Sequence, residues 1–250
     1  MMSRLQRPDR AERREPLGLP LALLRGVAWL LALIGYFGPW IGREAAALAW
    51  NAYDLFDLLR LLPQIESGAV RVNLYTLRLP LVGLAVLLPL LLARAPRGQR
   101  WIAAALGAGI ALATLPPYPE IVSAWRTPGW RVVFWGGVGA MIAVGVITWL
   151  GPRLARIRPW LIVGWLALTA LPALPTLHRL QPALSHLHAR PIAWGWGYWC
   201  WLIGIGLMAL LTGAKRQGDK ASKQQSGKNS KAARGVGRGA EFLIFVDRSY

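Results

Sequence analysis

The feature that most constrains this chain is a series of long apolar runs without charged side chains. The first covers residues 26–42, and a helix over that run would be roughly 25 Å long, close to the hydrocarbon thickness of a bilayer. Five arginines lie upstream, within residues 4–14, and by the positive-inside rule they place the N-terminus in the cytoplasm. A cleaved signal peptide with a small-residue site at 45–47 is the alternative. The length of the run and the five later runs favour an uncleaved span.

Composition supports a membrane protein rather than a soluble domain. Hydrophobic residues make up 55% of the chain and charged residues only 16%, and the charges cluster between the apolar runs. The net charge of +18 is therefore explained by membrane topology, and we expect no nucleic-acid partner. The single cysteine, Cys200, forms no intramolecular disulfide and indicates no metal site.

The apolar runs predict an all-α, polytopic membrane bundle of about six transmembrane helices with both ends in the cytoplasm. Loops at 94–100 and 151–159 carry three arginines each and no acidic residue, so both are expected on the inner side. The fourth run is rich in glycine, which predicts close approach of a neighbouring helix. The predicted spans are 17–40, 79–93, 101–115, 132–150, 160–174 and 192–211.

The segments outside the bundle are polar and basic. Residues 1–16 are expected to form a cytoplasmic basic segment, residues 17–213 the transmembrane domain, and residues 214–250 a disordered basic cytoplasmic tail. The tail would bind anionic lipid headgroups, or it would act only as a solvated topology anchor.

An amphipathic helix is predicted on the outer face, within the segment 43–78. Residues 45–62 have helical periodicity, and Pro63 is expected to end the helix. Such a helix would lie flat on the outer leaflet or cap the bundle. Its apolar stripe is the candidate partner-docking surface, and its polar side would face water or a partner. The stripe consists of Leu55, Leu58, Leu59 and Leu62, and the polar side of Asp54, Asp57 and Arg60.

A polar site on the outer face is the second hypothesis. The predicted outer loop at 176–191 contains all three histidines. If folding brought Asp54 and Asp57 close to His186 and His188, the four side chains would bind a metal or a polar ligand. The alternative is a solvated helix face and an ordinary loop. No catalytic, metal or cofactor motif is present, so we expect no cofactor and no enzyme.

Three stretches resemble a family of uncharacterised bacterial six-span integral membrane proteins. They are 38–42 (GPWIG), 51–63 (NAYDLFDLLRLLP) and 190–198 (RPIAWGWGY). The resemblance implies six spans, an outer helix and a bacterial inner-membrane location, and it implies no activity.

The function expected from the sequence is that of a non-enzymatic accessory or structural subunit. Its partners would be the lipid bilayer and other membrane subunits, or a second copy of the chain. The alternative is a permease-like subunit for a hydrophobic or lipidic substrate. A third alternative is an enzyme, or a pigment or haem protein, that uses the outer histidines.

Overall fold

The structure, a computed structural model, describes residues 18–41, 50–67, 72–187 and 191–213 and is mostly helical. Two short strands, β1 (Pro39–Ile41) and β2 (Trp50–Asn51), pair antiparallel. Two 3₁₀ turns lie at Leu74–Leu77 and Arg153–Arg156. The helices are α1 (Gly18–Phe37), α2 (Ala52–Arg60), α3 (Pro63–Glu66), α4 (Leu79–Leu91), α5 (Arg97–Ala113), α6 (Glu120–Ser123), α7 (Pro128–Leu150), α8 (Arg158–Ala170), α9 (Ala173–Leu187) and α10 (Trp196–Gly213).

Helix α4 is the centre of the bundle and packs against α1, α5, α7 and α8. Its sequence is apolar on every side, as expected of a helix that neighbours surround, and almost all of its residues are buried. At Gly83 the absent side chain lets α8 come close, and the Trp165 indole nitrogen there donates a hydrogen bond to the Gly83 carbonyl at 3.2 Å. The bundle is therefore organised around a helix that contains no charged residue.

Four helical segments are long and apolar enough to cross a membrane. They are Leu74–Leu91, Trp130–Leu150, Arg158–His186 and Trp196–Gly213. The apolar part of α1, Leu21–Phe37, is shorter than these, and α5 has only 17 residues. The mostly helical fold expected from the sequence is thus confirmed, and four of its segments are candidate membrane spans.

Helices α1 and α10 meet through glycines. A Cβ added at Gly35 would overlap the amide nitrogen of Trp201, and a Cβ at Gly204 would lie 2.5 Å from the Ala32 nitrogen. The predicted close approach at the glycine-rich fourth run is wrong for most of its glycines. Only Gly137 would contact neighbouring side chains, whereas a Cβ at Gly136, Gly139 or Gly145 would meet nothing within 4 Å.

The amphipathic helix predicted at 45–62 is shorter in the structure than its periodicity indicated. Helix α2 begins at Ala52, because Asn51 caps it by accepting a hydrogen bond from the Asp54 amide at 2.8 Å. The preceding residues of the predicted helix are strand β2 or lie outside the described residues. Pro63 occupies the first position of α3, where proline is favoured.

The predicted outer loop at 176–191 is wrong over most of its length, because helix α9 extends to Leu187. Pro175 lies in the first turn of α9, where its missing amide hydrogen costs little, whereas Pro182 lies inside the helix. The leucines Leu177, Leu180 and Leu184 recur at helical spacing and are fully buried, so they anchor α9 to the bundle. His178 and His186 therefore lie on a helix, and His188 lies outside the described residues.

Candidate functional site

The most unusual side chain at the α2 end of the bundle is Arg78, which precedes α4 and is only 3% exposed. Its Nη2 donates to both carboxylate oxygens of Asp57, at 3.2 and 3.3 Å. Its Nη1 donates to the Thr114 carbonyl at 3.4 Å. The guanidinium thus joins α2 to the first turn of α4 and to the end of α5.

Two aromatic rings of α2 cover the same guanidinium. The Arg78 Cζ lies 4.1 Å from the ring centroid of Tyr53 and 4.5 Å from that of Phe56. A desolvated cation–π contact of this kind contributes about 2 kcal/mol. Burial raises the pKa of the Asp57 carboxyl above its ordinary value, and the Arg78 guanidinium opposes that rise.

A second arginine, Arg60, lies on the other side of Phe56. Its Cζ is 3.9 Å from the ring centroid of Trp130 at the start of α7 and 5.9 Å from that of Phe56. Within the described ranges the Arg78–Asp57 pair is the only salt bridge, so Arg60 has no carboxylate partner there. We call Tyr53, Phe56, Arg60, Arg78 and Trp130 the arginine–aromatic cluster.

Within the part of the chain that the structure describes, three cavities border this cluster. The first, the Arg60 cavity, has a volume of about 220 Å³ and is lined by Arg60 and Asn73 among the apolar and aromatic side chains Phe56, Ile65, Val72, Leu74 and Tyr75. The second is open, about 490 Å³, and is bordered by Arg60 together with the carboxylates of Asp57 and Glu120. The third is a furrow of about 40 Å³ between α4 and α7, lined by Tyr75, Arg78, Val82, Val132, Val133 and Gly136 among others.

The predicted docking stripe lies largely inside the protein. Leu55 and Leu59 are fully buried, Leu62 is 6% exposed, and Leu58 is half-buried. Helix α2 therefore caps the bundle, which is one of the two placements that the sequence allowed. Docking of a partner at this stripe stays a prediction.

The polar side of α2 differs from the prediction in one important respect. Asp57 was expected to face water or a partner, but its carboxylate pairs with Arg78 of the chain itself. The physical reason is that a buried guanidinium requires a counter-charge, and Asp57 is the carboxylate within reach. Asp54 is exposed, as expected.

The predicted outer polar site is only partly covered by the described residues. Asp57 is engaged by Arg78, and His186 is exposed near the end of α9. His188 lies outside the described ranges. Among the residues that the structure describes, no group of three or more histidine, cysteine, aspartate or glutamate side chains is suited to hold a metal. The four-residue site stays a prediction.

Sequence reasoning identified Asp57 and Arg60 on α2 but missed Arg78, the buried partner of Asp57. A signal was present, because an arginine directly before an apolar span needs a partner if it becomes buried.

No protein family, curated protein or solved structure matches the chain.

Proposed function

We propose that this chain is a multi-pass inner-membrane protein that serves as a non-enzymatic accessory or structural subunit of a membrane complex. The observation that carries the proposal is the apolar outward surface of its long helices. In water such a surface would promote aggregation. In a bilayer, by contrast, it is covered by lipid or by a partner helix. The large, well-exposed side chains on these faces include Leu106 and Ile102 of α5, Trp135, Ile142 and Trp149 of α7, and Leu210 of α10.

The polar groups of the bundle support a packing role. Arg25 of α1 donates to the Leu211 carbonyl at 2.7 Å, and Arg158 of α8 donates to the Leu91 carbonyl at 2.8 Å. Both guanidiniums bind carbonyls near the C-terminal end of another helix, where the macrodipole favours a cation. These arginines hold the ends of neighbouring helices together. The helices whose carbonyls they bind, α4 and α10, contain no ionisable residue apart from Tyr198 and Cys200 of α10.

A six-span arrangement with both ends inside is the topology that we propose, with α1 and α5 as the two shorter spans. A four-span arrangement would place residues 98 and 123 on the same side of the membrane. In a six-span arrangement α5 crosses the membrane, so the two residues lie on opposite sides. The arginine-rich loops at 94–100 and 151–159 favour six spans.

Cysteine labelling tests this topology. In a Cys200→Ser background, Ser123→Cys is expected to react with a membrane-impermeant maleimide in intact cells, whereas Gly98→Cys reacts only after permeabilisation. A Cβ at Gly98 meets nothing within 4 Å, so this substitution is sterically mild. Reaction of both cysteines from the same side would contradict six spans.

The subunit proposal is tested by the mass of the particle that a mild detergent extracts from native membranes. We expect a particle of fixed stoichiometry, larger than the 27.5 kDa chain with its detergent. Leu61, which is 78% exposed at the end of α2, offers a docking variant. Leu61→Asp is expected to release a partner that Asp54→Asn retains. A monodisperse single chain from native membranes would overturn the proposal, and an ATPase as the partner would favour the permease alternative.

A further inference from the structure

Among the described residues Arg60 has only a partial counter-charge, because its guanidinium opposes the rise that burial causes in the pKa of the Asp57 carboxyl without forming an ion pair with it. Asp57 is occupied by Arg78, and Arg60 makes no hydrogen bond or ion pair with the residues that the structure describes. One face of its guanidinium is covered by Trp130, and the side chain is half-buried. A guanidinium has five N–H donors, which in a half-buried position require acceptors from water or from an anion.

The surroundings of Arg60 are suited to an anion with an apolar part. Among the described residues that line the Arg60 cavity, Arg60 is the only charged one, next to the polar Asn73 and a mostly apolar wall. In the neighbouring open cavity, Asp57 and Glu120 would repel an anion. Binding of an anionic group is therefore favoured in the Arg60 cavity and disfavoured in the open cavity next to Asp57 and Glu120.

We propose that the Arg60 cavity binds the phosphate group of an anionic phospholipid, whose acyl chains leave the cavity along the outer surface of α4 and α7. The planar guanidinium matches two phosphate oxygens. The cavity, at about 220 Å³, is smaller than a typical drug-sized ligand site and fits a headgroup rather than a whole lipid. The inference rests on the membrane placement proposed above and goes beyond the subunit role.

The furrow of about 40 Å³ is too small to hold an acyl chain, but it marks the apolar side on which a chain would leave the Arg60 cavity. Tyr75 borders both the Arg60 cavity and the furrow, so the two adjoin. Beyond Tyr75 and Arg78 the furrow is lined largely by valines of α4 and α7 and by Gly136, which leaves its side of α7 open. The two helices belong to segments long enough to cross a bilayer, and the Arg60 cavity lies at their common end, the depth at which headgroups lie.

Native mass spectrometry of the detergent-purified protein tests the proposal. Dioleoyl phosphatidylglycerol is titrated against dioleoyl phosphatidylcholine, which has the same chains but no net charge. We expect preferential binding of phosphatidylglycerol, and a loss of about tenfold in its affinity for Arg60→Gln, since hydrogen bonds to charged groups contribute at this level. Arg60→Lys keeps the charge without the two-pronged geometry and is expected to retain part of the preference.

Arg126→Gln is the matched control. Arg126 is exposed and its Cζ lies 4.0 Å from the Trp125 ring, a contact like that of Arg60 with Trp130, but it lines none of the three cavities. We expect this variant to bind phosphatidylglycerol as the wild type does, and both glutamine variants to unfold thermally near the wild-type midpoint.

Three results would overturn the proposal. They are equal binding of the two lipids, equal loss in Arg60→Gln and Arg126→Gln, and stabilisation by inorganic phosphate alone as large as that by phosphatidylglycerol. Because binding is measured in detergent, such a result leaves the cysteine-labelling topology intact. An error in the proposed membrane placement would be detected separately, by the cysteine-labelling experiment.

Discussion

Replacing Asp57 with asparagine is expected to lower the free energy of unfolding by about 2 kcal/mol, because it leaves the Arg78 charge without a counter-charge. Arg78 is only 3% exposed, so water cannot take over the role of the carboxylate. The Asp57 side chain is 43% exposed, and for this reason we expect less than the full cost of breaking a buried pair. In a chain of this size the loss corresponds to a fall of about 4–8 °C in the thermal midpoint.

The matched control for this experiment is Asp54→Asn, one turn earlier on the same helix. Asp54 is exposed and makes no salt bridge with the described residues, so we expect a change within about 0.5 kcal/mol. The double variant Asp57→Leu with Arg78→Met removes both charges and is expected to recover much of the lost stability. Equal midpoints for Asp57→Asn and Asp54→Asn, measured in the same detergent, would show that the ion pair does not hold α2.

Replacing Gly35 with alanine is expected to have the larger effect, a loss of about 3 kcal/mol. The new methyl group would overlap the Trp201 amide and lie 2.8 Å from the Gly197 carbonyl oxygen. Both are backbone atoms of α10, so no side-chain rotation relieves the contact and the two helices must separate. Their separation would also disturb Trp40, which is fully buried against Trp201 with 5.1 Å between the ring centroids.

Gly26→Ala, on the same helix α1, isolates the packing contribution. A Cβ at Gly26 meets nothing within 4 Å, so alanine there adds helix propensity without a clash. We expect its thermal midpoint to stay unchanged or rise, whereas that of Gly35→Ala falls by about 6–12 °C. Parallel changes in the two variants would refute the close α1–α10 contact.

The predictable part of this structure is the part that local pattern encodes. Apolar runs located the helices within a few residues, and the leucine stripe of α2 identified the face that is buried. The loop at 176–191 was misassigned because Pro172 and Pro175 were placed at the end of the fifth span. Pro175 lies in the first turn of α9, where proline is compatible with a helix, and Leu177, Leu180 and Leu184 continue the helical spacing. The sequence predicted close helix packing at the glycine-rich α7. That prediction was wrong for most of its glycines, because glycine content does not show which glycines face a neighbouring helix.

For the candidate site, the sequence located Asp57 and Arg60 on a polar helix face but could not identify their partners. By itself it determined which segments form apolar helices, where their charged ends lie, and which face of α2 turns inward. The tertiary structure alone decided that Arg78 pairs with Asp57, that Arg60 lies on Trp130, and that α1 crosses α10 at Gly35. The physical reason is that periodicity specifies a face, whereas the element that covers it depends on packing between residues far apart in the chain.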